Sequence, residues 1–274
     1  MPKKRLQSPS SINTYKQCPR KYYYKYITEL PTKTTFPLVR GKIAHAVLED
    51  FFDIDITEIT MQNFERALKK KMQDLFIAHW QLSQQLFTEF NLNPDQQKFY
   101  FSETLLMLFN WLDQFIAKIK KSDCQSFGEI FKKLTPIREE EYHSNDLYVH
   151  GFIDAIEQED KQILIMDYKT STNLDINEEQ RLQLAIYALL YKETHGIPPH
   201  KVGIHFLRYK PKFLSVDEEL LDEARKGIAL VHEKTRSDNI TDYPLKPGPL
   251  CKWCDFYKIC FEQKTITEYQ ADNH

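Results

Sequence analysis

Apolar side chains recur every three or four residues through much of the first half of the chain, which predicts amphipathic helices. Helices are expected across about 58–121, with a break at 91–94, where Asn91-Leu92-Asn93-Pro94 interrupts the pattern. Ser8 and Pro9 form a helix-start signal, and a second helix is expected after Gly41. The positions with helical spacing are Phe64, Leu68, Met72, Leu75 and Phe76, then Phe101, Leu105, Leu108, Leu112, Phe115 and Ile119.

The hydrophobic pattern changes after about residue 136, where shorter apolar and alternating runs are separated by polar turns. This order of elements predicts an α/β fold with a mixed sheet and helices on its faces. We expect one domain over 1–274, with a helical insertion at about 58–121 and a cysteine-rich segment at about 244–262. The predicted elements are strands at Ile137–Tyr142, Leu147–Glu157, Gln162–Tyr168 and Val202–Tyr209, with helices at 178–194 and 217–235, and a frayed polar C-terminus.

The composition is that of an ordinary globular protein. Of the 274 residues, 42% are hydrophobic and 28% charged, which excludes a disordered chain, and no window has the apolar length of a membrane span. The basic N-terminus is not followed by the apolar segment of a secretory signal, so a cytoplasmic location without membrane contact is expected. The seven glycines form no phosphate-binding loop, and no dinucleotide-binding fingerprint supports a redox protein.

Positive charge is concentrated in two segments although the net charge is only −2. Residues 1–25 hold seven cations and no acid, with tyrosines between them, and residues 198–213 also hold cations and no acid. Such a surface neutralises phosphates and stacks bases, although a solvated helix face has the same composition. The nucleic-acid-binding candidates are Tyr15, Arg20, Lys21, Lys25, Arg208 and Lys210.

Two aspartates and a lysine form a candidate metal site. Asp167 and Lys169 alternate along a predicted strand and therefore share a face, and a hairpin would bring Asp154 of the preceding strand close to Asp167. Two unpaired carboxylates in an apolar sheet are unfavourable, and Mg²⁺ or Mn²⁺ between them would remove that penalty. His45 offers an imidazole ligand. The alternative is a surface ion pair beside a buried structural histidine.

The helix that follows this strand carries a second polar pair. Gln183 and Tyr187 lie four residues apart and share one helix face, where they could orient a hydrated metal or a phosphate.

Four of the five cysteines form a second candidate site. Cys251, Cys254 and Cys260 are closely spaced, and Cys18 lies far upstream, whereas Cys124 stands apart. In a reducing compartment such a group indicates a metal more often than a disulfide. A 4Fe–4S cluster and a structural zinc both suit this spacing, and either would join the two ends of the chain.

Taken together, these motifs resemble the RecB-like nucleases of the PD-(D/E)xK superfamily. Within that superfamily they are similar to the four-cysteine branch, which includes the AddB nuclease domains and the CRISPR-associated Cas-four-type nucleases. The resemblance extends from residue 8 to residue 260. The motifs that carry it are Ser8-Pro9-Ser10; Cys18-Pro19-Arg20-Lys21-Tyr22; Arg40-Gly41 with His45 and Leu48-Glu49; Gly151-Phe152-Ile153-Asp154; Asp167-Tyr168-Lys169-Thr170; Gln183 with Tyr187; and Pro249-Leu250-Cys251 with Cys254 and Cys260.

The resemblance implies a restriction-endonuclease-like fold and a role for each motif. His45, Asp154 and Asp167 would bind the divalent metal together with the backbone carbonyl of Tyr168, and Lys169 would position or activate the attacking water. Gln183 and Tyr187 would match the family's Q-x3-Y motif near the DNA. Cys18, Cys251, Cys254 and Cys260 would hold a mainly structural 4Fe–4S cluster.

The expected function is therefore a metal-dependent DNA nuclease. We expect an exonuclease that acts on single-stranded DNA or DNA ends, in repair and recombination or in CRISPR adaptation, with a helicase or CRISPR integrase proteins as partners. The alternative is a non-catalytic nucleic-acid-binding protein with a structural iron–sulfur or zinc site.

Overall fold

The computed structural model describes residues 4–123, 126–159 and 161–272. Lys3 of the basic segment, the isolated Cys124 and Asp160 of a predicted turn lie outside these residues. Within the described ranges, none of the helices combines the length and apolarity needed to cross a membrane.

Helices account for most of the described chain. They are α1 (Pro9–Gln17), α2 (Pro19–Tyr22), α3 (Phe36–Asp50), α4 (Phe64–Leu82), α5 (Gln84–Glu89), α6 (Pro94–Lys120), α7 (Phe127–Leu134), α8 (Glu178–His195), α9 (Glu218–Lys234), α10 (Tyr257–Phe261) and α11 (Ile266–Asp272). Their starts follow local capping rules: the side chains of Ser8, Asn93 and Asn177 accept hydrogen bonds from the first turns of α1, α6 and α8.

The described strands form one mixed sheet in the order β1-β2-β3-β4-β5. Their bounds are β1 (Ile137–Ser144), β2 (Val149–Glu159), β3 (Gln162–Lys169), β4 (Lys201–Phe206) and β5 (Pro211–Ser215). β1, β2 and β3 are antiparallel neighbours, β3 and β4 run parallel, and β5 returns antiparallel to β4. The parallel pair is joined through α8, as a parallel connection requires.

Two hydrophobic cores cover the two faces of this sheet. On one face α3, α4, α6 and α7 pack against Ala155, Met166 and Tyr168. On the other, α8 and α9 pack against Ile165 and Val202. The predicted mixed sheet flanked by helices is therefore confirmed, and α4, α5 and α6 occupy the predicted helical insertion.

Three local predictions differ from the structure. The helix predicted after Gly41 begins earlier, at Phe36, because Pro37 starts it and Gly41 lies in its interior. β5 was missed because most of its side chains are exposed and give no apolar signal. The C-terminal segment predicted as frayed forms α11, which is anchored by Tyr269, a buried residue that packs near Tyr24 and Phe256.

Candidate active site

Helix α3 carries His45 to the end of β3 and to the middle of β2. Val39, Ile43 and Val47 of this helix are buried in the core, whereas the partly exposed His45 lines the cleft. Its Nε2 lies 2.8 Å from the carbonyl oxygen of Tyr168. Because a carbonyl only accepts, Nε2 carries the proton and donates it, which leaves Nδ1 to face the carboxylates.

Asp154 meets His45 from strand β2. Ala155 pairs with Met166, so Asp154 and Asp167 occupy the next position of the same antiparallel register. Asp154 Oδ2 accepts a 2.7 Å hydrogen bond from the Tyr168 backbone N–H and lies 3.4 Å from His45 Nδ1. The predicted hairpin geometry thus brings Asp154 close to His45 and Tyr168.

Glu139 is a third residue of this group, and sequence analysis missed it. Its carboxylate lies 3.9 Å from His45 Nδ1, and one ligand atom from each of Glu139, His45 and Asp154 lies within 4.8 Å of the others. Within the described residues this is the single group of three or more histidine, cysteine or acidic side chains so arranged. Glu139 is the first of three consecutive glutamates, and the hydrophobic pattern does not indicate which of them faces the site.

Asp167 lies beside this group and is held from two directions. Its side chain is 3% exposed, and Lys169 Nζ lies 2.8 Å from Oδ2 and 3.1 Å from Oδ1. Gln183 Nε2 donates to Asp167 Oδ1 at 3.0 Å and contacts the Tyr187 hydroxyl at 2.8 Å. The ammonium approaches Oδ2 at an angle that makes no hydrogen bond, so this buried oxygen remains able to accept one more partner.

Crowded negative charge dominates the electrostatics of these residues. Burial and the charge of Asp167 raise the pKa of Asp154 to about 7. Burial alone would lower the pKa of His45, but Glu139, Asp154 and Asp167 outweigh it and raise that pKa to about 9. Burial likewise opposes the charge of Lys169, and the carboxylate of Asp167 nevertheless raises its pKa.

An open cleft of about 500 Å³ gives access to the group from solvent. Hard carboxylate oxygens with one imidazole suit a divalent cation such as Mg²⁺ or Mn²⁺. The predicted ligand Asp167 lies outside this group of three, and its spare acceptor oxygen is the feature that qualifies it as a candidate further ligand. The residues present therefore fit a metal. The lining residues are Pro37, Leu38, Gly41, Lys42, His45, Ala46, Glu49, Glu139, Tyr168, Lys169 and Thr170.

The predicted DNA-binding side chains lie mostly in intramolecular contacts. Arg20 donates to the Tyr243 carbonyl, Lys21 donates to Gln17, and Lys25 lies over the Tyr26 ring. Lys210 is exposed, whereas Arg208 is paired with Glu103 of α6.

The tyrosines interleaved with the N-terminal cations are largely core residues. Tyr22 and Tyr24 are buried, and the half-buried Tyr15 packs edge-on against Tyr22 and Tyr243. The interpretation of Tyr22 and Tyr24 as a base-stacking surface is therefore wrong, because their ring faces are covered by the protein.

The four predicted cluster cysteines are brought together from both ends of the chain. Cys18 lies between α1 and α2, and it lines one cavity of about 290 Å³ with Cys251, Cys254 and Cys260. None of these four forms a disulfide. Four free thiols around one cavity are the ligand set of a 4Fe–4S cluster or a structural zinc, although no three of these sulfurs lie within 4.8 Å of one another.

The chain is similar in sequence to proteins that are named as nucleases. The chain is 26% identical over 298 residues to one subunit of the ATP-dependent helicase/deoxyribonuclease of Carboxydothermus hydrogenoformans, covering 97% of this chain and 26% of that protein. It is 27% identical over 112 residues to the CRISPR-associated exonuclease Cas4 of Francisella tularensis subsp. novicida, covering 41% and 56%. The chain thus spans about a quarter and about half of these two relatives.

A third relative matches along almost its whole length. The Gene 69 protein of Mycobacterium phage D29 is 24% identical over 276 residues, with 93% of this chain and 96% of that protein covered. Among solved structures, a putative exonuclease from Eubacterium rectale aligns with a TM-score of 0.49 at 13% identity, covering 92% of this chain and 87% of the other.

A protein-family model matches most of the chain and identifies the family to which it belongs. The family model described as the PD-(D/E)XK nuclease superfamily matches residues 7–261, a range that contains His45, Glu139, Asp154, Asp167 and Lys169. The resemblance inferred from the motifs is confirmed, and the chain belongs to the PD-(D/E)XK nuclease superfamily.

Proposed function

We propose that this protein is a metal-dependent DNA nuclease that hydrolyses phosphodiester bonds in the cleft beside His45. The observation that carries the proposal is the convergence of His45, Glu139 and Asp154 within 4.8 Å, next to the ion pair of Asp167 and Lys169. These residues come from four separate segments, and a purely structural role does not require three acids around one histidine.

His45, Glu139, Asp154 and Asp167 would hold Mg²⁺ or Mn²⁺, with the Tyr168 carbonyl as a further oxygen ligand. When bound, the ion supplies charge stabilisation at the phosphate and a lower pKa for its water. Lys169 orients the attacking water and offsets charge that develops on the phosphate. Gln183 holds Asp167 in position, and Tyr187 in turn supports Gln183.

The reaction consumes one water for each bond cleaved. The water oxygen forms the new P–O bond while the bond to the leaving sugar oxygen breaks. The water gives up one proton to solvent, and the leaving oxygen takes one from solvent as it becomes a hydroxyl. The products are a terminal phosphate and a free hydroxyl.

The relatives support DNA as the substrate. One is named a helicase/deoxyribonuclease and another an exonuclease. We extend this to an exonuclease acting on single-stranded DNA or free DNA ends in the cytoplasm. A helicase or CRISPR integrase proteins are the proposed partners.

The four thiols of Cys18, Cys251, Cys254 and Cys260 are proposed to hold a 4Fe–4S cluster that joins the chain ends, with zinc as the alternative. The absorption spectrum of anaerobically purified protein distinguishes the two, because an iron–sulfur cluster is coloured and zinc is not. A colourless protein that contains one equivalent of zinc would show that the site holds zinc and not an iron–sulfur cluster.

The nuclease is tested with Asp167→Asn, which removes the ligand charge and keeps the side-chain shape. We expect cleavage of end-labelled single-stranded DNA in Mn²⁺ to fall by at least about 10³-fold. The melting temperature should change little, because removal of the repulsion between the buried Asp154 and Asp167 offsets the loss of the ion pair with Lys169.

Asp175→Asn is the matched control, since Asp175 is an 86% exposed acid paired with Lys212 away from the cleft. Equal activity of Asp167→Asn and the wild type would reject this site. DNA binding by a wild-type protein that cleaves in neither Mg²⁺ nor Mn²⁺ would favour the non-catalytic alternative.

A further inference from the structure

One face of α3 lines the cleft along its length. Leu38, Lys42, His45 and Glu49 follow one another at helical spacing and all contact the cleft. Successive members are about one helical turn, ~5 Å, apart, which is of the order of the spacing between neighbouring phosphates in an extended strand. The helix therefore places a series of different chemical groups beside whatever lies in the cleft.

Lys42 occupies the position one turn before His45. Its side chain is exposed, and it makes no hydrogen bond or ion pair with any residue that the structure describes. The other lysine of the cleft, Lys169, is neutralised by Asp167. Lys42 is thus a positive charge that the protein leaves without a partner inside the proposed active-site cleft.

Thr170 adds a second donor from the opposite wall. Its hydroxyl lies 3.8 Å from the position that a Cβ on Gly41 would occupy. Thr170 is therefore close to α3 at Gly41, the residue immediately before Lys42. The hydroxyl has no hydrogen-bond partner among the described side chains and backbone groups. A cation and a hydroxyl that face the same space are the donors of an anion site.

The charge along the cleft is asymmetric. Beyond His45, the exposed Glu49 lines the far end of the cleft and, together with Glu139 of the group beside His45, repels a polyanion. On the N-terminal side of His45, the cleft is lined first by Lys42 and then, one turn further from His45, by Leu38, an apolar side chain that is 58% exposed. The favourable side for a nucleic-acid strand is therefore the side of Lys42 and Leu38.

We propose that Lys42, assisted by the Thr170 hydroxyl, binds the phosphate adjacent to the scissile one, and that the body of the DNA strand leaves the site over Leu38. This inference rests on the proposed nuclease function and makes Lys42 its substrate-binding residue. The acidic end near Glu49 then leaves little room for further phosphates beyond the scissile bond, as expected for an enzyme that works from strand ends.

The first experiment separates binding from chemistry. Lys42→Ala should raise KM for a single-stranded oligonucleotide about tenfold at low salt with kcat changed less than about twofold, since one charge-assisted contact is lost. The slope of log KM against log salt should fall by about 0.7, the value for one phosphate contact on a single strand. Lys42→Arg should restore both quantities.

Lys226→Ala is the matched control, because Lys226 is an exposed lysine of α9 that also lacks a partner among the described residues but lies on the opposite face of the sheet. It should leave KM and its salt dependence unchanged. An equal effect of both lysine changes would reduce the result to general electrostatic attraction and overturn the proposal.

The decisive experiment removes the charge from the substrate instead. A single neutral methylphosphonate linkage next to the scissile phosphate should cost the wild type about tenfold in KM and cost Lys42→Ala nothing more. Additive losses would overturn the assignment of Lys42. If the wild type cleaves no DNA, the nuclease proposal fails, and the same pair of oligonucleotides in fluorescence-anisotropy binding then decides for or against Lys42 separately.

Discussion

Glu139 adopts a left-handed backbone φ of 46° within strand β1, a conformation that residues with a side chain seldom take. Arg138 pairs with Ala155 and Glu140 with Ile153, so the strand keeps its register on both sides of the distortion. Such a conformation costs about 1–3 kcal/mol. The Glu139 carboxylate reaches His45 and Asp154, so a strained backbone position coincides with the site.

Removing the charge of Glu139 should therefore weaken metal binding. In Glu139→Gln, we expect the Mn²⁺ concentration for half-maximal cleavage to rise by about 10- to 100-fold, because one anionic oxygen of the group is lost. A Mn²⁺ titration of cleavage, together with direct Mn²⁺ binding by electron paramagnetic resonance, measures the change.

Glu141→Gln provides the comparison on the same strand, since Glu141 pairs with His150 outside the site. Its Mn²⁺ requirement should equal that of the wild type. If Glu139→Gln also binds Mn²⁺ normally, Glu139 is not a ligand and the site consists of the aspartates and His45 alone.

At the scale of elements, α8 and β3 together determine the position of Asp167. The helix is buried along most of its length, so Gln183 is fixed relative to the strand and its amide reaches Asp167. The i, i+4 spacing of Gln183 and Tyr187 predicts that they share a face, and they are hydrogen-bonded. The contact of Gln183 with Asp167 was not predictable, because it depends on how α8 packs across the sheet.

The β4–β5 hairpin depends on a glycine at its closest approach. A Cβ on Gly203 would lie 2.5 Å from the Lys212 carbonyl oxygen and 2.7 Å from the Phe213 ring. Gly203→Ala must therefore push the backbone of β5 away, and we expect a loss of about 1–3 kcal/mol in the free energy of unfolding. Denaturant unfolding followed by circular dichroism gives this quantity.

A glycine with free space around it shows whether the effect is specific. At Gly128 of α7, a Cβ added to the backbone would meet no neighbour closer than 4.0 Å, so Gly128→Ala should not reduce stability. A similar loss in both variants would mean that contact with β5 is not the cause.

At the scale of the whole molecule, the two ends of the chain meet beside the nuclease core. Tyr22 stacks on Tyr243, and Tyr24 packs on Phe256, so aromatic contacts already join the N- and C-terminal segments. The four thiols lie beside these contacts. A metal or cluster held there would close a loop that contains most of the chain.

Cys254→Ser is expected to remove the bound metal and the stability that the closed loop provides. For a loop of this length we expect about 5 kcal/mol, equivalent to a fall of about 10–20 °C in melting temperature. Thermal unfolding, with metal content and absorption measured on the same sample, tests this expectation. Cys124→Ser serves as the control, and an unchanged melting temperature in Cys254→Ser would contradict the role of the centre.

Much of this architecture was predictable because it is encoded locally. Helical spacing predicts α4, α6 and α8, and Ser8 and Pro9 predict the start of α1. The alternation of Asp167 and Lys169 places their side chains together, and they form an ion pair. Each of these features depends on residues that are near neighbours along the chain, so periodicity and capping chemistry are sufficient to infer them.

The remaining features depend on contacts between distant segments. Which of three consecutive glutamates joins His45 depends on the position of α3 over the sheet, which brings His45 within 3.9 Å of Glu139. Whether a tyrosine is a surface platform or a core residue, as Tyr22 is, depends on what covers its ring. Lys42 likewise differs from other lysines through its place in the cleft, because partner choice is a property of three-dimensional neighbours and leaves no trace in spacing or composition.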